Sequence, residues 1–209
     1  MRFVVRRQRD ETRKVLLDAA FWEIYRFGYQ SASIDRILDG TRLTKGALYH
    51  HFPNKLQLGY AVVEEAVGPW IREHWVAPLE QASNPIDGLN HSVQRALADA
   101  PDELIHGGCP LNNIAQEMSN LDEGFRTRID AVLDDWRTAI SRRLTEGQAA
   151  GSVRRDLDAA TTAAFLVAVF EGIAAAGKAA KSREHARKVS GAALALIDTF
   201  RASTGVVGR

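Results

Sequence analysis

The stretch LTKGALYHHFPNK, residues 43–55, predicts a short helix with one buried face and one polar face. Thr44 is a favoured capping residue, so the helix is expected to begin after it and to cover residues 45–52. Leu48 and Phe52 are four residues apart and therefore share the face that turns toward the core. The outer face is left with Thr44, Lys45, Ala47, Tyr49 and His50. Hydroxyl, ammonium and imidazole groups on one face suit a surface that lies against a polyanion.

Helical periodicity extends along almost the whole chain, and no run alternates convincingly between apolar and polar residues, which predicts an all-α fold. The predicted helices cover residues 12–27, a short stretch between Ser33 and Gly40, then 45–52, 55–79 with a kink at Gly68-Pro69, 85–98, 110–118, 122–150, 158–180 and 184–200. Residues 100–110 are predicted to form a loop. The apolar stripe of the first helix is assigned to Val15, Leu16, Ala19, Ala20, Trp22, Glu23 and Phe27.

Charge is unevenly distributed along the 209 residues, although the net charge is only +1. Residues 1–55 hold eleven Lys and Arg against six Asp and Glu, whereas the remainder holds sixteen against twenty. A basic N-terminal part on a mildly acidic remainder predicts that only the first part meets a polyanion. The single cysteine, Cys109, excludes an internal disulfide. Without an apolar run long enough for a membrane span, or a secretory signal, the expected location is the cytoplasm.

Two short helices joined by a glycine-containing turn form the helix-turn-helix arrangement, in which the second helix enters the major groove of DNA. Gly46 near the start of that helix would let its backbone approach the duplex, at a cost of about 1 kcal/mol in helix propensity. The predicted DNA-binding residues are Ser33, Arg42, Thr44, Lys45, Gly46, Ala47, Tyr49, His50 and Lys55. Lysines and hydroxyls would contact phosphates, and His50 or Lys45 would read a purine edge.

The run from Thr12 to Tyr60, with TKGALYHHFPNK at its centre, resembles the DNA-binding domain of TetR/AcrR-type repressors. The segment GCPLNNIAQEMS, residues 108–119, is similar to a stretch found in the ligand-binding domains of some members. The resemblance implies a homodimer that binds a palindromic operator and releases it when a small-molecule effector binds. It also implies a helix-turn-helix domain at residues 10–55 and a ligand-binding and dimerisation domain at residues 56–204. Arg42 departs from the family, which usually has Gly there.

Candidate effector-lining residues lie in the second predicted domain, although aromatic residues at helical spacing are more often simply core. The candidates are Trp70, Trp75, Cys109, Asn113, Glu117, Phe125, Trp136, Phe165 and Phe170. Asn113 and Glu117 share one helix face and would orient a ligand, or else serve as ordinary surface and capping groups. Cys109 is either a passive thiol or a redox sensor, with His106 as the nearest cation in sequence.

Small residues near the C-terminus predict a dimer interface made by the last two helices of each subunit. Residues 172–177 are Gly, Ala and Ile, which let another helix approach closely. The alternative is that these helices pack only within the subunit. An N-terminal arm of Arg2, Arg6, Arg7 and Arg9 would enter the minor groove, or else be a solvated tail.

The sequence contains no motif that is typical of an enzyme. Hydrolase, phosphate-loop and zinc-protease signatures are missing, so no enzyme activity and no cofactor are predicted. The adjacent pair His50-His51 points about 100° apart on a helix and is not expected to chelate a metal. A helical protein-interaction scaffold remains the alternative, but it does not explain the basic N-terminal part.

Overall fold

The computed structural model describes residues 2–98 and 102–202, with side chains from Asp10 onward, and their regular structure is helical apart from an isolated bridge between Val153 and Arg201. The helices are α1 (Arg2–Phe27), α2 (Ile34–Leu38), α3 (Lys45–His51), α4 (Lys55–Val62), α5 (Gly68–Ile71), α6 (Ala77–Gln81), α7 (Pro85–Ala98), α8 (Asp102–Gly107), α9 (Pro110–Met118), α10 (Glu123–Ala149), α11 (Ala159–Ala180) and α12 (Arg183–Asp198). Two π-helical turns, Val63–Val67 and Arg72–Val76, flank α5. The all-α prediction is confirmed.

The chain forms two compact units. The first unit contains Met1–Trp70 and Pro110–Val132, and the second contains Ile71–Cys109 and Leu133–Arg209. Helix α10 contributes its N-terminal part to the first unit and its C-terminal part to the second.

Helix α1 begins earlier than predicted and buries a different face. It starts at Arg2 rather than at residue 12, because residues 2–11 contain neither Gly nor Pro to interrupt it. The buried positions are Leu16, Leu17, Ala20, Glu23, Ile24 and Tyr25. Two residues of the predicted stripe are wrong, since Val15 is 44% exposed and Phe27 is 54% exposed. The side chains of the proposed arginine arm, Arg2, Arg6, Arg7 and Arg9, lie outside the described part.

The predicted single helix over residues 55–79 is interrupted by the two π turns rather than by one kink. Each π turn ends two residues before a proline, at Val67 before Gly68-Pro69 and at Val76 before Ala77-Pro78. A proline ring collides with the carbonyl four residues earlier and has no N–H to give it. The Gly68 and Ala77 N–H groups instead bond carbonyls five residues back, which widens the turn where the ring must fit.

In the second unit, residues predicted as a loop contain a helix. Helix α8 occupies residues 102–107, with two acidic residues in its first turn and Ile105 buried. Gly108, at φ +78°, follows it. Gly107 is the last residue of α8, and the other Gly and Pro residues of this stretch lie outside it in sequence, which explains why composition alone missed the helix.

Helix α11 is more apolar than the sequence analysis allowed for. Among the described residues it is the one helix long and apolar enough to cross a membrane, with a hydropathy of 1.7 over an 18-residue window. The sequence analysis counted uninterrupted apolar runs. The run in α11 stops at Glu171, so that analysis did not identify the helix as a possible membrane span. A core helix of a soluble protein meets the same criterion, but only 22% of this window is buried. Helix α11 packs against α8 and α12, and it leaves much of its apolar surface uncovered.

Candidate nucleic-acid interface

Helix α3 is fixed at both ends by local interactions that follow from its sequence. The Thr44 hydroxyl accepts a hydrogen bond from the Ala47 N–H at 3.2 Å, which confirms the predicted cap. Leu48 and Phe52 are 0% and 2% exposed, as the spacing predicts. With these two residues anchored in the core, the N-terminal end of the helix is turned toward solvent. The helix ends at His51, one residue before the predicted boundary.

The turn before α3 contains two residues with left-handed backbone. Gly40 has φ +82° and Arg42 has φ +57°. The Thr41 hydroxyl holds the turn by donating to the Leu38 carbonyl at 2.8 Å and accepting from the Leu43 N–H at 3.2 Å. For a non-glycine residue this backbone costs about 1 kcal/mol or more. Gly40 therefore does not spare Arg42 the strain, and the exposed Arg42 side chain is displayed from a strained position.

Most of the predicted DNA-binding side chains lie on the accessible side of α2 and α3. Arg42, Thr44, Lys45, Gly46, Tyr49 and His50 are exposed, and Ser33, Ala47 and Lys55 are partly exposed. Ser33 occupies the N-cap position of α2, but its side chain makes no capping hydrogen bond there. The Tyr49 ring is 47% exposed, which is unusual for a large aromatic residue. The His50 and His51 rings meet edge to face, with centroids 5.4 Å apart.

The two predicted phosphate-binding lysines have partners within the chain. Lys45 forms an ion pair with Asp35 on α2, with 2.6 Å between Nζ and Oδ1, and this hydrogen bond raises the pKa of Lys45. Both side chains are more than half exposed, so the pair is weak and open to exchange with a phosphate. Lys55 donates to the Gln30 carbonyl at 2.9 Å, and its amine lies 4.9 Å from the centre of the Tyr29 ring. Partial burial lowers the pKa of Lys55.

Gly46 is not required by packing inside the protein. A Cβ atom at this position would have only the Thr44 hydroxyl nearby, at an ordinary 3.7 Å. The backbone at residue 46 is helical, and the residue is exposed. The glycine therefore leaves a bare stretch of backbone on the outer face of α3 that no internal contact explains.

A buried glutamate, Glu23, and two partly exposed arginines, Arg13 and Arg36, hold the helix-turn-helix together. Glu23 is only 7% exposed and accepts hydrogen bonds from the Ser33 N–H at 3.0 Å and from Arg36 at 2.7 Å. Arg13 reaches the His51 carbonyl and lies 4.4 Å from the centre of the Phe52 ring, while also pairing with Glu65. One sign of these contacts was present in the sequence, which was the glutamate Glu23 within an otherwise apolar stripe.

The candidate effector-lining residues are divided between the two units. In the second unit, Trp75, Trp136 and Phe170 form an aromatic cluster, with Trp75 stacked on Phe170 at 4.9 Å between centroids. Phe165 makes none of these ring contacts and is 50% exposed, and its assignment as a lining residue stays a prediction.

In the first unit, Phe125 is fully buried and contacts the rings of Tyr29 and Tyr60. Glu117 there accepts hydrogen bonds from two backbone N–H groups. Core packing engages Phe125 and backbone hydrogen bonds engage Glu117, and a ligand-lining role for either residue stays a prediction. Trp70 and Asn113 are partly buried in the same unit.

A thiol and a carboxyl group meet beside the aromatic residues of α11. The Cys109 thiol donates to Glu171 Oε1 at 3.2 Å, and Glu171 Oε2 is buried without a hydrogen-bond partner among the residues that the structure describes. Burial raises the pKa of Glu171 to about 7. No group of three His, Cys, Asp or Glu residues in the described ranges is arranged to hold a metal ion.

We expect the stability of the protein to fall as pH rises from about 4.5 to about 7, because the Glu171 carboxyl ionises in the unfolded chain while burial keeps it protonated in the folded one. Glu171→Gln should leave the melting temperature nearly unchanged at pH 5 and raise stability by roughly 1 to 3 kcal/mol at pH 8. Glutamine still accepts the Cys109 hydrogen bond, so the change isolates ionisation. An equal effect of the substitution at both pH values would contradict the assignment.

Comparison with known proteins defines the class of the protein. Residues 16–62 match the model of bacterial regulatory proteins of the tetR family, and residues 85–193 match the tetracyclin repressor-like C-terminal domain. Together with the geometry of α2 and α3, these matches define a helix-turn-helix transcriptional regulator. The second match alone covers more than half of the chain, and the chain therefore belongs to the TetR family.

Individual relatives agree with this assignment. An uncharacterised HTH-type transcriptional regulator in the lacX 3′ region of Lactococcus lactis is 31% identical over 134 residues, which cover 64% of this chain and 68% of that protein. The HTH-type transcriptional repressor DhaR of Mycobacterium sp. strain GP1 is 29% identical over 157 residues, or 75% and 77% of the two chains. The crystal structure of a TetR transcriptional regulator from Chloroflexus aurantiacus has a TM-score of 0.82 and 27% identity, covering 93% and 98%.

Proposed function

We propose that this protein is a homodimeric repressor that binds a palindromic DNA operator and releases it when a small-molecule effector binds. In this proposal residues 10–55 bind DNA, and residues 56–204 hold the effector and the dimer interface. The observation that carries the proposal is the outward-facing N-terminal end of α3, anchored by Leu48 and Phe52. A protein that acts on DNA in a bacterium would work in the cytoplasm.

The exposed groups of α3 suit both positioning and reading of DNA. The Tyr49 and Thr44 hydroxyls and the Lys45 amine are placed to contact phosphates, while His50 would reach a base edge. Ser33 at the start of α2 and Arg42 in the turn would add phosphate contacts on either side of α3. Lys55 already bonds the Gln30 carbonyl, but an ammonium has three donors and two remain for a phosphate.

Lys45→Ala should weaken binding to DNA from upstream of the protein's own gene by about 5- to 10-fold and reduce the salt slope by about one, since one phosphate contact is lost. Binding should be measured by fluorescence anisotropy across salt concentrations. Arg154→Ala is the control, because it removes one positive charge from an exposed pair with Asp156 that lies outside α2, α3, α11 and α12. Unchanged affinity and slope for Lys45→Ala would count against a DNA-binding role and favour the protein-interaction scaffold.

Gly46→Ala should separate stability from DNA binding. The added methyl meets no obstacle within the protein, so helix propensity should raise stability by roughly 0.5 to 1 kcal/mol. If the bare backbone lies against the duplex, the same methyl should reduce operator affinity at least about 10-fold, a loss of about 1.4 kcal/mol. Chemical denaturation and operator titration of the same preparation measure the two effects. A variant that is more stable and binds as tightly as the wild type would contradict the close approach.

The uncovered apolar face of α11 supports dimerisation through α11 and α12. Phe165 is half exposed on this helix, and Gly172 has nothing within 4 Å of a Cβ added there. Gly191 on α12 has the same open surroundings. Small and apolar residues on two adjacent helices are typical of a two-fold four-helix interface. Two α3 helices related by such a two-fold axis would match the symmetry of a palindrome.

Phe165→Glu should convert the dimer to a monomer at micromolar concentration, because it places a charge within the proposed apolar interface. Sedimentation velocity measures the mass, and operator affinity should fall together with dimerisation. Leu121→Glu is the matched control, since Leu121 is a 62% exposed apolar residue in the first unit. A wild-type monomer, or a Phe165→Glu variant that remains dimeric, would contradict this interface.

The effector site is proposed in the second unit near the aromatic cluster. Trp75, Trp136 and Phe170 supply flat apolar surface, and the Cys109–Glu171 pair supplies a carboxyl group that is half protonated near neutral pH. Such surroundings favour an uncharged or cationic ligand with an apolar body over an anion. A metabolite library screened for a raised melting temperature, followed by operator release, would identify the effector.

A further inference from the structure

The turn that follows α1 is bound by a carboxylate from a distant part of the sequence. Glu117 on α9 accepts the Tyr29 N–H through one oxygen and the Gln30 N–H through the other, each at 2.8 Å. Two successive backbone N–H groups that converge on one anion make a strong, directional site. Both oxygens of the carboxylate are thereby committed to the turn.

The backbone around this carboxylate is shaped to receive it. Gly28 has φ +82°, and a Cβ there would lie 2.9 Å from Glu117 Oε2. The residue also ends α1, where its N–H bonds the Ile24 carbonyl at 2.8 Å. The C-terminus of a helix repels negative charge, so the helix dipole does not account for an acid here. The two hydrogen bonds, together with the electrostatic attraction of Lys55, hold Glu117 in place.

A lysine also holds this turn, through a backbone carbonyl. Lys55 donates to the Gln30 carbonyl, so residue 30 gives its N–H to an anion and its carbonyl to a cation. The Tyr29 ring lies between Lys55 and Phe125, with 4.6 Å between the Tyr29 and Phe125 centroids. The turn leads directly into α2. Glu23 also holds the start of α2 by accepting a hydrogen bond from the Ser33 N–H. Its geometry thus sets where α2, and with it α3, lies relative to α1.

We propose that Glu117 is a positioning residue for DNA binding, which holds the α1–α2 turn in the geometry that the operator requires. The inference rests on the proposed DNA-binding function. Helix α9 stands in sequence between two stretches of the second unit, Ile71–Cys109 and Leu133–Arg209. Glu117 is therefore a point at which a segment outside residues 10–55 is hydrogen-bonded to the backbone of the DNA-binding part, and a shift of α9 would be passed to that part.

Glu117→Gln keeps the size of the side chain but offers an NH₂ donor to one of the two N–H groups. We expect operator affinity to fall about 5- to 10-fold, with the salt slope unchanged because no phosphate contact is lost. Glu117→Ala should lose more. Glu123→Gln is the matched control, since Glu123 is an exposed carboxylate in the same unit whose side chain pairs with Arg126. Its affinity should equal that of the wild type.

Hydrogen exchange of individual amides gives a readout that does not involve DNA. In both Glu117 variants the Tyr29 and Gln30 N–H groups should exchange at least about 10-fold faster, while the Leu48 and Phe52 N–H groups within and after α3 should keep their protection. Measurements are made below the melting temperature of the least stable variant. Uniform loss of protection would indicate general destabilisation and overturn the proposal.

The outcomes separate the two levels of inference. If the wild-type protein binds no DNA, the proposed function fails, whereas amide exchange still tests the Glu117 contact. If the wild type binds and Glu117→Gln binds equally tightly, the positioning role is wrong and the proposed function stands. A weakened variant with a smaller salt slope would mean that Glu117 acts through a phosphate-binding group, which would also overturn the proposal.

Discussion

The arrangement of the DNA-binding part depends on the burial of Leu48 and Phe52 beneath α3. These two side chains leave water completely or almost completely, and burial of each stabilises the fold by roughly 1.5 to 3 kcal/mol. Because Leu48 and Phe52 turn one face of the seven-residue helix α3 toward the core, the opposite face points outward. The polar groups of α3 are thus displayed as a consequence of packing, and Arg13 reinforces the anchor by lying over the Phe52 ring.

The anchored helix could be predicted from sequence because its determinants are local. A capping threonine, two apolar residues four apart and a terminating proline all lie within thirteen residues, and each is found in its expected role. The family resemblance depended on the same short stretch. Gly28, Gly40 and Gly151, which follow helix ends, have positive φ, a conformation that glycine adopts without the steric cost that other residues bear.

The features that sequence analysis missed depend on contacts between distant residues or on exceptions to simple periodicity. Glu117 is 88 residues from Tyr29, and its spacing on α9 suggested a ligand-facing side chain instead. Glu23 looked like a mismatch in an apolar stripe until its bonds to Ser33 and Arg36 were seen. The π turns before Pro69 and Pro78 shift the helical period, so a reading at 3.6 residues per turn could not anticipate them.

Arg42 shows how the proposed DNA-binding surface differs from one built for stability alone. Its left-handed backbone would suit glycine, and glycine would relieve about 1 kcal/mol of strain. It would also delete a positive charge from the turn that introduces α3. Folding stability and attraction for a polyanion therefore place opposite demands on residue 42. The protein has arginine there and not glycine. A substitution at this exposed position would change folding stability and affinity for a polyanion in opposite directions without repacking the core.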